Sequence, residues 1–335
     1  MTSPTAAGYE RFAALEARGV SPRFEEWAAA IAADPDVLSL IDGLPRPKRQ
    51  PNLVFAAARL AGAPLAPYPQ FRSWLLEHWS AVEPVIQMRM TQTNEAGRCA
   101  VLLPLLSGFE GPVALIEAGA AAGICLYPDR YSYSYQHDGG ETVLHPASGP
   151  SPVQLTCALT GAAAPTQLPD VVWRAGIDLN PLDVQDPEDM AWLETLIWPE
   201  HQERRDRLEA VVKIAASEPP HLVRGDIVNE LPALVDKAPK DATVVVFHSA
   251  VLPYVEPDHR QRSVDLVQEL NVTWISNEGE GVLPEIKSQL PRSAEGRLVL
   301  SLDGRPQAFT GPHGQSYEAP VWSCGLGAGR MAGCR

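Results

Sequence analysis

Along roughly its first hundred residues the chain sets apolar side chains at helical spacing and punctuates them with proline. In "SPRFEEWAAAIAAD", Phe24, Trp27, Ala28 and Ile31 recur at steps of one, three and four, which puts them on one face of a helix. Ser21 stands where an N-cap belongs, and Pro22 takes the first helical position, where its missing N–H is no loss. "DPDVLSLIDG" repeats the device with Asp34, Pro35 and a closing Gly43, and "PNLVFAAARLAG" runs from Pro51 to Gly62. "FRSWLLEHWSAVEPVIQMRM" and "TNEAGRCAVLLPLLSG" continue the pattern, with Pro84 and Pro104 expected to kink or break it. Nothing here alternates with the period of two, so residues 1–109 read as a helical module.

After Gly111 the texture changes. Short runs rich in valine and isoleucine alternate with helical stretches, the pattern of βαβ units around a mostly parallel sheet. The expected strands are "PVALIEAG", "VVWRAGIDLN", "HLVRGDIV", "TVVVFHSAV", "VTWISNEG" and "RLVLSLDG", with helices over 187–217 and 257–270. One stretch departs from this: "RYSYSYQHDGGETVLHPASGPSPVQLTCALTG" alternates tyrosines with polar residues around glycine turns. It reads as an antiparallel hairpin inserted at about 129–170. The α/β core then covers 110–318, and residues 319–335, ending "GLGAGRMAGCR", read as a frayed, flexible tail.

Composition narrows the function classes. At 45% hydrophobic, a chain of 335 residues can bury a large core. Its 41 acidic against 27 basic residues disfavour nucleic acid and anionic lipid as partners, since both need a positive face. The basic group Arg46, Lys48 and Arg49 is a local exception, read first as a solvated loop. The five cysteines form no C-x-x-C pair, so no metal is expected. No basic region followed by an apolar stretch opens the chain, and no segment reaches the roughly 18 apolar residues of a membrane span. The expected setting is cytoplasmic and the expected partner a small molecule; a homodimer is allowed, and the sequence does not choose the oligomeric state.

The candidate chemistry begins at Glu117, which ends the first strand and is followed only by Gly119, Gly123 and alanines up to Gly123. Such a turn suits either close packing or the approach of a ligand to the backbone of a following helix. Asp178 and Asp226 end the next two apolar runs, each readable as a ligand-binding carboxylate at the rim of the sheet or as a turn or cap residue. His248 ends "VVVF" and Glu278 ends "WISN", with Tyr254 six residues past His248. Imidazole titrates near neutral pH, so His248 suits a general base; a structural histidine bonding the strand end is the competing reading. In "TQTNEAGR" Thr93 or Asn94 reads as a helix cap with Glu95 on the dipole, or else Asn94, Glu95 and Arg98 line a pocket and bind substrate. Tyr127, Tyr131, Tyr133 and Tyr135 read as cross-strand packing before they read as an aromatic wall.

Taken in order, E-x-G-x-x-x-G at 117–123, G-[hydrophobic]-D at 176–178 and G-D-x-x-x-x-L-P at 225–232 resemble the class I S-adenosylmethionine-dependent methyltransferases. The resemblance implies a doubly wound, Rossmann-like sheet of about seven strands. It also implies S-adenosyl-L-methionine as cofactor, held at Glu117, Gly119, Ala120, Gly123, Asp178, Asp226 and His248, with the helical module as lid and substrate selector. Methyl transfer to a small-molecule acceptor is the implied reaction, with other chemistry on the same cofactor, or a non-catalytic binding or scaffolding role, as alternatives. "KRQPNLVFAA", "MTQTNEAGRCAVLLP", "AGIDLNPLDV", "VVFHSAVLPY" and "SLDGRPQAF…PHG" are more closely similar to domain of unknown function family 2332, a bacterial family with no assigned reaction. Two departures from the methyltransferase pattern stand out. Ala121 replaces the middle glycine, and Asp178 lies about 55 residues after Gly123 rather than about 20. The insertion accounts for the second, and it leaves Asp138 as an alternative acid for the ribose.

Overall fold

The computed structural model describes residues 3–92 and 94–320; the cap candidate Thr93 and the expected tail from 321 onward lie outside the described residues. Two compact units divide the chain. One is made of Met1–Asn94 and Leu182–Ala216, the other of Glu95–Pro181 and Ser217–Arg335.

The first unit is helical. α1 (Pro4–Phe12), α2 (Pro22–Ala32), α3 (Pro35–Asp42) and α4 (Pro51–Leu60) each open on proline, and α5 (Tyr68–Met88) follows them. The caps are those expected: Ser21 Oγ accepts from Phe24 N at 3.1 Å, and Asp34 Oδ1 accepts from Asp36 N and Val37 N. Neither interior proline ends its helix. α5 runs through Pro84 to Met88, and α6 (Cys99–Leu106), which belongs to the second unit, runs through Pro104. Each proline lies close to the C-terminal end of its helix, so the lost hydrogen bond leaves little helix beyond it to unravel. Trp27 stacks on Phe71 with ring centroids 3.8 Å apart, and Phe24, Phe55 and Trp198 pack around them. α7 (Pro187–Leu196) and α8 (Gln202–Ser217) complete the helices; Arg59 Nη1 donates to the carbonyls of Thr195 and Ile197 at 2.6 Å, closing the end of α7.

The second unit is built on an eleven-stranded sheet. Its strands are β1 (Pro112–Ala118), β2 (Ser132–His137), β3 (Gly140–Leu144), β4 (Gln154–Thr160), β5 (Asp170–Asp178) and β6 (His221–Arg224). β7 (Thr243–Ser249), β8 (Thr273–Gly279), β9 (Leu298–Leu302), β10 (Arg305–Thr310) and β11 (Ser316–Glu318) follow. In space they run β3-β2-β4-β11-β10-β9-β8-β7-β1-β5-β6. Five strands, β6-β5-β1-β7-β8, are mutually parallel. The chain enters this set at β1, winds outward through β5 and β6, then returns to the other side for β7 and β8. The winding therefore reverses between β1 and β7, which is where open parallel sheets leave a crevice at their carboxyl ends. β1 is buried from Val113 to Ala118, as a central parallel strand covered on both faces must be. Ile116, Ile177, Val246 and Trp274 share a core with Leu231 and Leu234 of α9 (Ile227–Lys237), Val264 of α10 (Pro257–Glu269) and Ile286 of α11 (Pro284–Lys287).

All six strands expected from the sequence form, but the sheet is wider than about seven strands because the insertion joins it. β2 and β3 make the antiparallel hairpin, while β4 pairs with β2 in parallel. β11, only three residues long, then pairs with β4 on one side and β10 on the other and splices the insert to the rest. Asp138 sits at the hairpin turn, with seven strands between β2 and β5, so it does not share a strand end with Asp178. The four tyrosines are packing residues. Each is fully buried, and each phenol donates to a backbone carbonyl: Tyr127 to Glu218, Tyr131 to Ile124, Tyr133 to Pro128 and Tyr135 to Ala100, at 2.6–2.7 Å.

Candidate functional site

The turn after β1 is left-handed through most of its length. Gly119 has φ +74°, Gly123 +69° and Ala121 +48°. Ala121 thus takes, at some cost in strain, the backbone position for which glycine is the usual choice. No α-helix follows; Ile124–Leu126 is a single 3-10 turn, and the next regular element is β2. The expected strand-to-helix turn is therefore absent, and with it the helix N-terminus that would face a ligand. Small residues here serve close packing. A Cβ at Gly119 would stand 2.5 Å from Val251 Cγ2, and one at Gly123 2.9 Å from Pro220; Ala120 fills the space beside Gly176, where a Cβ would meet it at 2.5 Å.

Glu117 itself is 6% exposed, and its Oε2 is buried without a hydrogen-bond partner among the described residues. Burial holds its carboxyl protonated well above the usual carboxylate range; the Cys125 thiol and Asp178 push the same way, and Arg98 opposes them. A protonated carboxyl in this place can donate as well as accept.

On the neighbouring strands, Asp178 ends β5 and binds the glycine turn: its Oδ2 accepts from Ala121 N at 2.8 Å and its Oδ1 from Asn180 N at 2.7 Å. Asp226 follows β6 as the N-cap of α9, accepting from Val228 N at 2.8 Å, and its second oxygen meets His259 Nε2 at 2.6 Å. Its cap reading is realised. Glu117, Asp178 and Asp226 nevertheless end or follow three adjacent strands, β1, β5 and β6, at one edge of the sheet.

β7 and β8 carry a directional relay. The indole of Trp274 can only donate, and it donates to His248 Nε2 at 3.0 Å. This fixes the ring proton on Nδ1, which donates to Glu278 Oε1 at 2.7 Å. The same oxygen accepts from Val251 N and Leu252 N, while Glu278 Oε2 is buried with no hydrogen-bond partner among the described residues. His248 is 3% exposed with both ring nitrogens engaged, which is the geometry of a positioning histidine rather than of the general base expected from the sequence. Tyr254 stands 69% exposed in the 3-10 turn Leu252–Tyr254. The loop starts on Ala250 at φ +54°, so each of the two strands flanking the reversal of winding is followed by a strained alanine.

The remaining expected residues lie around the segment before α6. Asn94 is half-buried at the end of the first unit's leading segment. Glu95 caps the short turn Ala96–Arg98 by accepting from Gly97 N at 3.0 Å. Arg98, expected to bind a substrate carboxylate, donates instead to two backbone carbonyls, Ser249 at 2.6 Å and Pro312 at 3.1 Å. Those two bonds bring together segments far apart in sequence: "NEAGR" before β1, "FHSAVLPY" after β7 and "GPHG" after β10. The first two carry site candidates expected from the sequence; the third carries His313, a histidine set between a proline and a glycine in a turn.

Among the described residues no group of three or more histidine, cysteine or acidic side chains could hold a metal ion, and no helix is long and apolar enough to cross a membrane. A family described as "Uncharacterized protein conserved in bacteria (DUF2332)" matches residues 6–318, and the chain belongs to it. No curated protein and no solved structure matches the chain.

Proposed function

We propose that this member of the bacterial DUF2332 family is an enzyme that binds S-adenosyl-L-methionine at the carboxyl edge of its parallel strands and transfers a group to a small molecule. One observation carries the reading. The acids ending or following the adjacent strands β1, β5 and β6, Glu117, Asp178 and Asp226, lie beside the reversal of winding, and Glu117 Oε2 is a buried polar atom with no hydrogen-bond partner among the described residues. A polar atom left unpaired in a folded core costs about 1–3 kcal/mol, so its retention fits a ligand group that completes it. The order of the five parallel strands, outward from β1 and then back to β7, resembles that of doubly wound sheets that take nucleotides at this edge, which supports the reading.

The residues fit the polar groups of such a cofactor. Glu117 would take its amino group; Asp178 would take its ribose diol through the lone pairs left by its bonds to Ala121 N and Asn180 N, and Asp226 would take its adenine edge. They do not let it cross the glycine turn, because Val251 fills the space above Gly119. A cofactor held here would be held by Glu117 and Asp178 rather than by the glycine turn. Bound there, it supplies an electrophilic carbon on a sulfonium; the protein supplies alignment and proton transfer. Glu278, held through one oxygen by His248, Val251 N and Leu252 N, keeps its other oxygen for the acceptor.

Calorimetry of S-adenosylhomocysteine on Asp178→Ala tests the reading. Removing the carboxylate proposed to accept from the ribose diol should weaken binding by about 2–4 kcal/mol. Equal affinity in the variant, or no binding to the unmodified protein, rules it out.

A further inference from the structure

The buried polar groups around Arg98 form a closed circuit. Arg98 Nη1 donates to the carbonyl of Ser249, and Asn277 Nδ2 donates to Ser249 Oγ at 2.9 Å. Thr310 Oγ1 donates to Asn277 Oδ1 at 2.7 Å. The backbone from Thr310 to Pro312 then leads to the Pro312 carbonyl, which accepts from Arg98 Nε. Arg98, Ser249, Asn277 and Thr310 are all buried. A second device fixes the same turn: Gly314, at φ +84°, packs so tightly on the backbone of Gly97 that any Cβ there would overlap its carbonyl oxygen. Gly314 N closes the turn on the Gly311 carbonyl at 2.9 Å.

Such circuits are demanding, because every member must be satisfied in a low-dielectric interior, and what they confer is a fixed geometry. Here they fix, from both sides, a turn whose exposed member between the two anchors is His313. Since β9 runs antiparallel to β8 and β10 antiparallel to β9, β10 points the same way as the parallel strands. The turn after β10 therefore emerges at the edge that carries Glu117 and Ser249.

We propose that His313 is the residue that takes the proton from the acceptor at this edge, the role its sequence position had suggested for His248. The inference rests on the cofactor reading above. As the acceptor's oxygen or nitrogen lone pair forms its bond to the transferred carbon, the carbon–sulfur pair stays on sulfur. The acceptor's proton passes to a ring nitrogen of His313, and the imidazolium returns it to solvent. Imidazole is the side chain suited to such an exchange near neutral pH.

The test uses the full chain and two probes, diethyl pyrocarbonate and S-adenosylhomocysteine. Carbethoxylation of each histidine is followed by peptide mass spectrometry, with binding measured separately by calorimetry. His313 should react readily in the protein alone, and saturating S-adenosylhomocysteine should suppress that reaction to the level of buried His248. His313→Gln should keep the unmodified protein's melting temperature and its affinity for S-adenosylhomocysteine. Binding without protection of His313 would overturn this inference and leave the cofactor reading standing. Failure of S-adenosylhomocysteine to bind the unmodified protein would overturn both.

Discussion

Replacing Glu117 with methionine is expected to make the protein more stable, by about 1–3 kcal/mol at neutral pH, because it removes a buried carboxyl whose Oε2 has no hydrogen-bond partner among the described residues. The gain should depend on pH in a defined direction. Burial raises the folded-state pKa of Glu117 above its unfolded value. Below the ordinary carboxylate range both states hold the proton and the group is neutral in each. Above that range the unfolded chain releases the proton while the folded chain keeps it, so stability falls as pH rises, by up to about 1.4 kcal/mol per pH unit, until the folded value is reached. Urea melts of both proteins at several pH values measure this. The unmodified protein should lose stability with rising pH in the window where Glu117→Met does not. A destabilised Glu117→Met would mean that the carboxyl is a structural partner, and the case for a ligand at this strand end would lapse. The pattern expected of a binding residue is a more stable variant that no longer binds the cofactor.

The opposite outcome is expected at His248. Substitution by alanine leaves the Trp274 indole without its acceptor, and Glu278 Oε1 without one of its three donors, in a buried site. It also opens a cavity beside Trp274. We expect a loss of about 3–5 kcal/mol, seen as a lower urea midpoint at unchanged slope. Because Glu278 Oε1 also holds Val251 N and Leu252 N, the loop after β7 should loosen, and cofactor affinity should fall together with stability. An equally stable His248→Ala with normal cofactor binding and turnover cut by about 10²–10⁴-fold would instead restore the catalytic role expected from the sequence.

What could be read from the sequence was local. Caps such as Ser21 and Asp34 lie within three residues of the N–H groups they satisfy, and the six valine-rich runs each declare a strand by themselves. What could not be read was set by contacts between distant segments. β11 is too short to carry a pattern and exists because β4 and β10 lie on either side of it. β10 contains Pro306, which discourages a strand reading, yet Pro306 sits next to a register shift in its ladder with β9, where a ladder donor is dispensable. The Gly119–Gly123 turn was legible as a left-handed turn, but its meaning depends on Val251 and Pro220, some hundred residues away in the chain. His248 looked like a base because it ends a strand, and only the indole of Trp274 on the next strand shows that its lone pair is taken. Arg98 looked like an anion binder because it is charged; its partners are backbone carbonyls from β7 and the β10–β11 turn, which no local pattern announces.

The claim that the acids at the ends of β1, β5 and β6 form a site for an adenosyl cofactor is tested most directly by native mass spectrometry of gently purified protein, before and after addition of S-adenosylhomocysteine. The account predicts a bound species with the mass of S-adenosylmethionine or S-adenosylhomocysteine, gained on addition by the unmodified protein and not by Asp178→Ala. A retained ligand of another chemical class, or no adduct after addition, would contradict it.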